Sequence, residues 1–312
     1  MSTALPHTDL PSPAPPNPAL PNTAVLTLAP PLGQRLAGTL LALWRLRPVV
    51  RFGLVVLAAM LLMAAFAPLI APYGVDQQDL RQVTQGPSAR HWLGTDNLGR
   101  DMLTRVIYGG RVPLLVAAVA TLVAATIGVL LGLVAGLLGG WVDALLMRTA
   151  DAFICFPALV FTLVMSAMTG PGIHNVILSF AVFGWTGFAR ITRGQVLVVR
   201  ELQYVEAARA IGMSRRRVLL RHVLPNVLTP LIVAASLTAG NAILVEAGAS
   251  FLGVGAQPPT ASWGRELQTG FRLLEAALMI AFSSGLMITL AVLAFNYIGD
   301  GLRDLLDPRV VR

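Results

Sequence analysis

Few residues of this chain could do chemistry, and their spacing excludes most of it. The four histidines, His7, His91, His174 and His222, fall at no metal-ligand spacing, so no metal site is expected. Cys155 is the single cysteine, which excludes a disulfide framework or a cysteine metal cluster. All 23 basic residues are arginine. A chain without lysine lacks the lysine of a nucleotide-binding phosphate loop and any Schiff-base lysine. No paired His/Glu or Ser/Lys constellation is present, so the chain is not expected to be a catalyst and no cofactor is expected. If its work uses ATP, another chain must bind the nucleotide. Two features remain. Glu246 is the one acid well inside an apolar run, NAILVEAGASFLG, and YVEAARAIGMSRRRVLLRHVLPN, residues 204–226, gathers arginines around a glycine.

The elements that must position these residues are apolar. Hydrophobic residues make up 55% of the chain and charged residues only 12%, against about 25% in a soluble domain. Several runs reach the length of about 20 residues that a helix needs to cross a bilayer, so the chain reads as an all-α, multi-pass membrane protein. Six spans are expected, near 52–71, 112–138, 152–168 with a kink at Pro157, 174–189, 227–253 and 276–299. Residues 1–33 hold nine of the 21 prolines and read as a disordered tail. The expected organisation is that tail, then a first span with an outer loop (34–111), then the main transmembrane domain (112–305) with an elbow at 200–226, then a short tail (306–312).

Arginine sets the orientation. With the N-terminus inside, 16 of the 23 basic residues fall on inside segments, which favours N-in and C-in and puts the basic stretch in the cytoplasm. The net charge of +8 is thus read as topology. No nucleic-acid partner is expected, because the charge is not gathered on a soluble domain.

Within the stretch, Leu202, Val205, Ala208 and Ile211 recur at three-residue spacing as one apolar face. Gly212 ends that run as a C-cap, and Ser214 N-caps a second helix carrying Arg215, Arg216, Arg217 and Arg221. Pro225 marks the turn into the next span. Such an elbow could dock into a groove on another protein, or its arginines could bind anionic membrane lipid; spacing leaves both open.

The stretch resembles the "EAA" motif of the permease subunits of ABC importers. Glu206, Ala207, Ala208, Gly212, Leu224 and Pro225 stand at the motif's positions, and His222 stands where the general pattern has isoleucine. The resemblance implies a type I ABC-importer permease fold and assigns those residues to coupling with an ATPase subunit. It also implies the partners: two ATPase subunits, a second permease and an extracytoplasmic binding protein, at the inner membrane of a bacterium or archaeon. HWLGTDNLGRDMLTRVIYGGRVPL (91–114), SFLGVGAQPPTASWGRELQTG (250–270) and the ending FNYIGDGLRDLLDPR are similar to the dipeptide, oligopeptide and nickel C-subunit branch. The second of these implies contact with the binding protein.

Physical reading of the same segments gives further expectations. Asp96 or Asn97 caps a short helix from Leu98 to about Tyr108, with Asp96/Arg100 and Asp101/Arg105 as exposed i,i+4 pairs in a solvated outer loop. Trp263 reads as an interfacial anchor. Glu246 and Asn241 are each either a pathway residue or an interhelical contact, with the contact favoured for Asn241 and Asn296. Asp143, Arg148 and Asp151 either pair with one another or touch the ATPase. An ion-gradient-driven secondary transporter is the alternative function, although no clear repeat is seen.

Overall fold

In the computed structural model, residues 48–273 and 278–306 are described. The proline-rich tail and most of the C-terminal tail lie outside them, as do the side chains of Arg209, Arg215, Arg216, Leu220 and His222. Helices α1 (Pro48–Ala65), α2 (Ala67–Ile70), α3 (Met102–Gly109), α4 (Arg111–Leu138), α5 (Gly140–Ile154) and α6 (Ala158–Thr169) come first. A continuous helical run then joins α7 (Ile173–Ser179) to α8 (Trp185–Arg200) through a π turn at Phe180–Gly184. The elbow carries α9 (Gln203–Ala210) and α10 (Arg215–Val218), and α11 (Leu224–Phe251), α12 (Trp263–Arg272) and α13 (Leu278–Leu306) complete the chain. The described residues hold no strand, only an isolated bridge between Thr95 and Asp101.

By length and apolarity, four segments can cross a membrane: α1, α3–α4, α11 and α13. A fifth is available if α5 and α6, bent by 77° where Pro157 precedes α6, act as one broken span. The kink expected at Pro157 is therefore present. This measure does not reach the expected six. Residues 174–189 are divided among α7, the π turn and α8, where Asn175, Ser179 and Thr186 interrupt the apolar pattern.

Helix α4 is 28 residues long, so it extends about 42 Å at 1.5 Å per residue and outruns an apolar core of about 30 Å. Its packing is set by Gly128, Gly132 and Gly136, one turn apart on one face. A Cβ on these would lie 2.4 Å from the Trp185 carbonyl, 2.5 Å from the Ala189 carbonyl and 2.7 Å from Val196 respectively. The small-residue stripe lets α8 approach almost backbone to backbone, the means by which helices associate where lipid removes the hydrophobic incentive. On the other side α4 exposes Leu115, Leu122, Leu130 and Leu138. Helix α11 runs through the middle and buries Ala239, Ala242, Ile243 and Ala247 with Val116, Ala117 and Ala120 of α4 and Ile288 and Ala291 of α13.

The helices define two ends. Arg111 at the start of α4 donates to the Ala64 carbonyl at the end of α1, and Gln268 of α12 donates to the carbonyl of Phe251 at the end of α11. At the opposite end, Arg200 donates to the carbonyl of Gly136 in the last turn of α4. The elbow therefore sits at one end of the bundle and the loop 71–101 with α3 and α12 at the other, the distal end. Gly53 of α1 packs on Ala294 and Tyr297 of α13, so these two helices run antiparallel, with the start of one and the close of the other toward the elbow.

Candidate functional site

The elbow is a helix, a left-handed turn and a second helix, seated by small aliphatic residues. Val205 and Ala208 of α9 are buried in one cluster with Val218, Val223 and Val227, and with Leu133, Val196 and Val199 from α4 and α8. Leu202 and Ile211 are not part of that face; they are 40% and 80% exposed. The expected four-residue apolar face is therefore corrected to its two central members. A three-residue step falls about 60° short of a full turn, so over three steps the first and last residues drift to opposite sides of the helix.

Gly212 has φ +80°, and the backbone N–H groups of Ile211 and Met213 donate to the carbonyls of Ala207 and Ala208. This closes α9 in the left-handed conformation expected of a glycine C-cap. Ser214 stands just before α10, and its carbonyl accepts the N–H of Val218. Pro225 does not mark a turn. Helix runs unbroken from Arg215 to Phe251, and a π turn at Leu219–Val223 carries the ladder past the proline, with the Leu224 N–H donating five residues back to Leu219. The proline has no N–H to lose and lies in the first turn of α11, where its fixed φ suits a helix.

Among the expected coupling residues, Glu206, Ala207, Ala208 and Gly212 thus lie on α9 and its cap, and Leu224 and Pro225 at the foot of α11. Tyr204 and Asn226 brace the two parts with a 3.1 Å hydrogen bond. Glu206, Ala207, Ile211, Gly212, Arg217 and Arg221 face outward. The elbow thus presents a glutamate, a bare backbone turn, an isoleucine and two arginines on a base that is itself packed. Neighbouring acids are paired across helices: Arg193 of α8 forks onto Asp143 of α5 at 2.8 and 2.7 Å, and Arg190 pairs with Asp151. Asp143 and Asp151 therefore tie α5 to α8 and do not pair with Arg148.

Glu246 and Asn241 lie far up α11, away from the elbow. Asn241 is exposed, so it is not the interhelical contact expected of it within this chain. Glu246 is fully buried at the distal end, where its Oε1 accepts from Ser250 at 2.7 Å and Ser262 at 2.8 Å. Ser250 in turn accepts the N–H of Ala256 at 2.9 Å. The side chain fastens the end of α11 to the segment leading into α12, and its Oε2 has no partner among the described residues.

The distal segment 91–105 departs most from expectation. His91, Thr95, Asp96, Arg100, Asp101, Thr104 and Arg105 form a buried polar assembly rather than a solvated surface. Helix α3 starts at Met102 with Asp101 as its N-cap, accepting from the Thr104 N–H at 2.8 Å, so the cap is neither Asp96 nor Asn97. Asp96 organises a turn, accepting from the N–H groups of Leu98 and Arg100 and pairing with the Arg100 guanidinium at 2.6 Å. The Asp101/Arg105 pair does not form. Asp101 lies 2.9 Å from His91, while Arg105 crosses to Glu266 of α12 at 2.7 Å with both side chains 1% exposed. Trp263 is no interfacial anchor: it is fully buried against Gly109 and Gly110, and its indole N–H donates to the Val106 carbonyl at 2.9 Å. Charge spacing within 96–105 could not show a partner 161 positions away.

Known proteins resemble this chain. Residues 128–312, which hold the elbow, match the family model described as the binding-protein-dependent transport system inner membrane component, and residues 41–87 match the N-terminal TM domain of oligopeptide transport permease C. A dipeptide transport system permease protein of Alkalihalophilus pseudofirmus is 40% identical over 258 residues, covering 83% of this chain and 85% of the relative. A glutathione transport system permease protein of Shigella flexneri is 43% identical over 252 residues, covering 80% of this chain and 83% of the relative. An inward-facing structure of the MetNI methionine ABC transporter overlays with a TM-score of 0.55 at 17% identity, over 66% of this chain and 98% of that one, which shows the shared fold. A multi-pass helical bundle, an elbow at the expected spacing and a match over more than half of the chain lead to one family: this chain belongs to the inner membrane components of binding-protein-dependent transport systems.

Proposed function

We propose that this chain is one of two permease subunits of an ABC importer for dipeptides or similar small peptides, coupled to ATPase subunits through the elbow 204–226. The observation that carries the reading is the elbow itself. The motif residues fold into a helix and a left-handed glycine turn whose inner valines are anchored in α4, α8 and α11 and whose outer face is bare. A rigid seat with an exposed face is what a push from a partner would need in order to reach the spans. Coupling then means that the docked elbow has a different geometry in each nucleotide state, so that ATP binding biases the bundle between two arrangements. The named substrates of the relatives, dipeptides and glutathione, narrow the solute class to short peptides.

The test is reconstitution. The tagged chain is purified in mild detergent with its co-purifying subunits, placed in liposomes with the binding protein, and assayed for uptake of labelled dipeptides and glutathione. ATP-dependent uptake that stops with a hydrolysis-dead ATPase supports the reading. Uptake by the chain alone, driven by an ion gradient and indifferent to ATP, overturns it in favour of a secondary transporter.

A further inference from the structure

The distal loop 71–101 carries two cavities that share Tyr73, Arg90 and Asp101 and differ in their other walls. The first, of about 340 Å³, adds the polar groups of Gln77, Asp79, Gln82 and His91. The second, of about 400 Å³, adds Ile70, Pro72, Ala89, Trp92 and Leu103, so it is apolar apart from the shared residues. A polar half and an apolar half therefore meet at Arg90.

The polar wall is held in shape by its own contacts. Asp79 accepts from the Arg81 N–H at 3.0 Å and from the side-chain amide of Gln82 at 2.7 Å. The carbonyl oxygen of that amide lies 3.2 Å from Nε2 of His91, whose Nδ1 lies 2.9 Å from Asp101. Tyr73 packs its ring on His91, centroids 4.9 Å apart, and its hydroxyl donates to the Arg90 carbonyl at 2.9 Å. Asp101 is fully engaged, since it also accepts from the N–H and hydroxyl of Thr104. Asp79 and Arg90 are not. The N–H of Arg81, and after it the Gln82 amide, hold the Asp79 carboxyl below the usual aspartate pKa, so it is ionised. Yet among the described residues neither Asp79 nor Arg90 makes an ion pair, with each other or with a third group, although both line one cavity.

The site stands where the first span ends. Leu69 and Ile70, just before the loop, are 82% and 52% exposed, and Trp92, which lines the apolar cavity with Ile70, is 71% exposed. An exposed indole at the end of a span marks the boundary between hydrocarbon and water. An occupant must then be apolar on one side, anionic at Arg90 and cationic at Asp79. We propose that this site binds a zwitterionic phospholipid with a primary amine, of the phosphatidylethanolamine kind. Its acyl chains lie against Ile70 and Trp92, its phosphate on the Arg90 guanidinium and its ammonium on Asp79. A guanidinium presents a fork that matches phosphate oxygens, and an ammonium supplies the N–H donors that a carboxylate accepts. Phosphatidylglycerol satisfies Arg90 but offers Asp79 no cation, and a choline headgroup has the charge but no N–H to donate. The bound lipid ties the end of the first span to the buried assembly around Asp101, whichever solute is carried.

The test uses the chain with its co-purifying subunits, stripped of lipid in mild detergent and titrated with phosphatidylethanolamine, phosphatidylglycerol or phosphatidylcholine. Bound lipids are counted by native mass spectrometry for the wild type, Asp79→Asn, Arg90→Gln and the distal control Arg272→Gln. The expected result is one phosphatidylethanolamine per copy of this chain, lost in Arg90→Gln and kept in the control. Its preference over phosphatidylglycerol should be about tenfold and should vanish in Asp79→Asn, the scale of one charge-assisted hydrogen-bonded pair. A wild type without that preference, or an Asp79→Asn complex that retains it, overturns the proposal. Displacement of the lipid by an equal concentration of glycerophosphoethanolamine, the headgroup without chains, overturns it in favour of a site for soluble phosphate esters. A second measurement needs no change at Asp79 or Arg90. In nanodiscs, brominated phosphatidylethanolamine should quench the share of tryptophan emission that Trp92→Phe removes. Absence of that quenching means that a protein subunit covers the patch, and the lipid assignment falls.

Discussion

Gly212 offers the sharpest perturbation of the elbow. Its φ is +80° and nothing lies within 4 Å of the place where a Cβ would sit, so a substitution meets no steric wall. The penalty is then conformational alone, about 1–2 kcal/mol for a non-glycine residue held in the left-handed region, with β-branched residues at the upper end. Asparagine tolerates this region better than alanine or valine, so uptake should fall in the order Gly, Asn, Ala, Val. At about 1.4 kcal/mol per tenfold, Gly212→Val should lower the population of the native turn by roughly thirtyfold. The spans are untouched, so abundance in the membrane should stay at the wild-type level. The assay is ATP-driven uptake in proteoliposomes together with stimulation of ATPase activity by loaded binding protein, both normalised to the reconstituted chain. Two results would refute the reasoning: a Gly212→Val protein that transports normally, or asparagine and valine variants that fail equally.

Three further outcomes follow from the packing. At Gly132, where a Cβ would lie 2.5 Å from a backbone carbonyl, alanine must push α4 and α8 apart and should cost about 1–3 kcal/mol. Alanine at Gly187 or Gly194, both open, should cost almost nothing; equal melting shifts of the purified complex would contradict the close-packing account. Glu266→Ala leaves the buried Arg105 guanidinium without its main partner and should destabilise by about 3–5 kcal/mol, while the double change R105M/E266L should be milder than either single change. Additive losses in a thermal unfolding assay would argue against a coupled pair. At Glu246, glutamine keeps an acceptor for Ser250 and Ser262 and should fold and transport, whereas alanine strands two buried hydroxyls at about 1–3 kcal/mol each. A stable Glu246→Gln complex that no longer transports would instead make Glu246 a pathway residue.

Local regularities were legible without coordinates. Apolar run length marked the long helices, Pro157 marked the bend, and Gly212 marked the left-handed turn, because each acts through a residue's own backbone or its immediate neighbours. The elbow was legible for the same reason, since its motif lies within one contiguous stretch. Drift of the helical period decided which elbow residues were buried. At Pro225 a π turn kept the helix continuous where proline alone reads as a break, and the ladder shift behind that turn has no residue-level signal.

The sequence by itself therefore determined the class of molecule and the place of the elbow in it. A chain without lysine and with so few charges has no nucleotide loop of its own, whatever its fold. Tertiary structure alone decided where the charges of the distal end went. Asp101 and Arg105 stand at ideal helical spacing, yet the first caps a helix and the second reaches Glu266 across the molecule. A guanidinium as buried as that of Arg105 takes whichever carboxylate the packing supplies, not the nearest one in the chain.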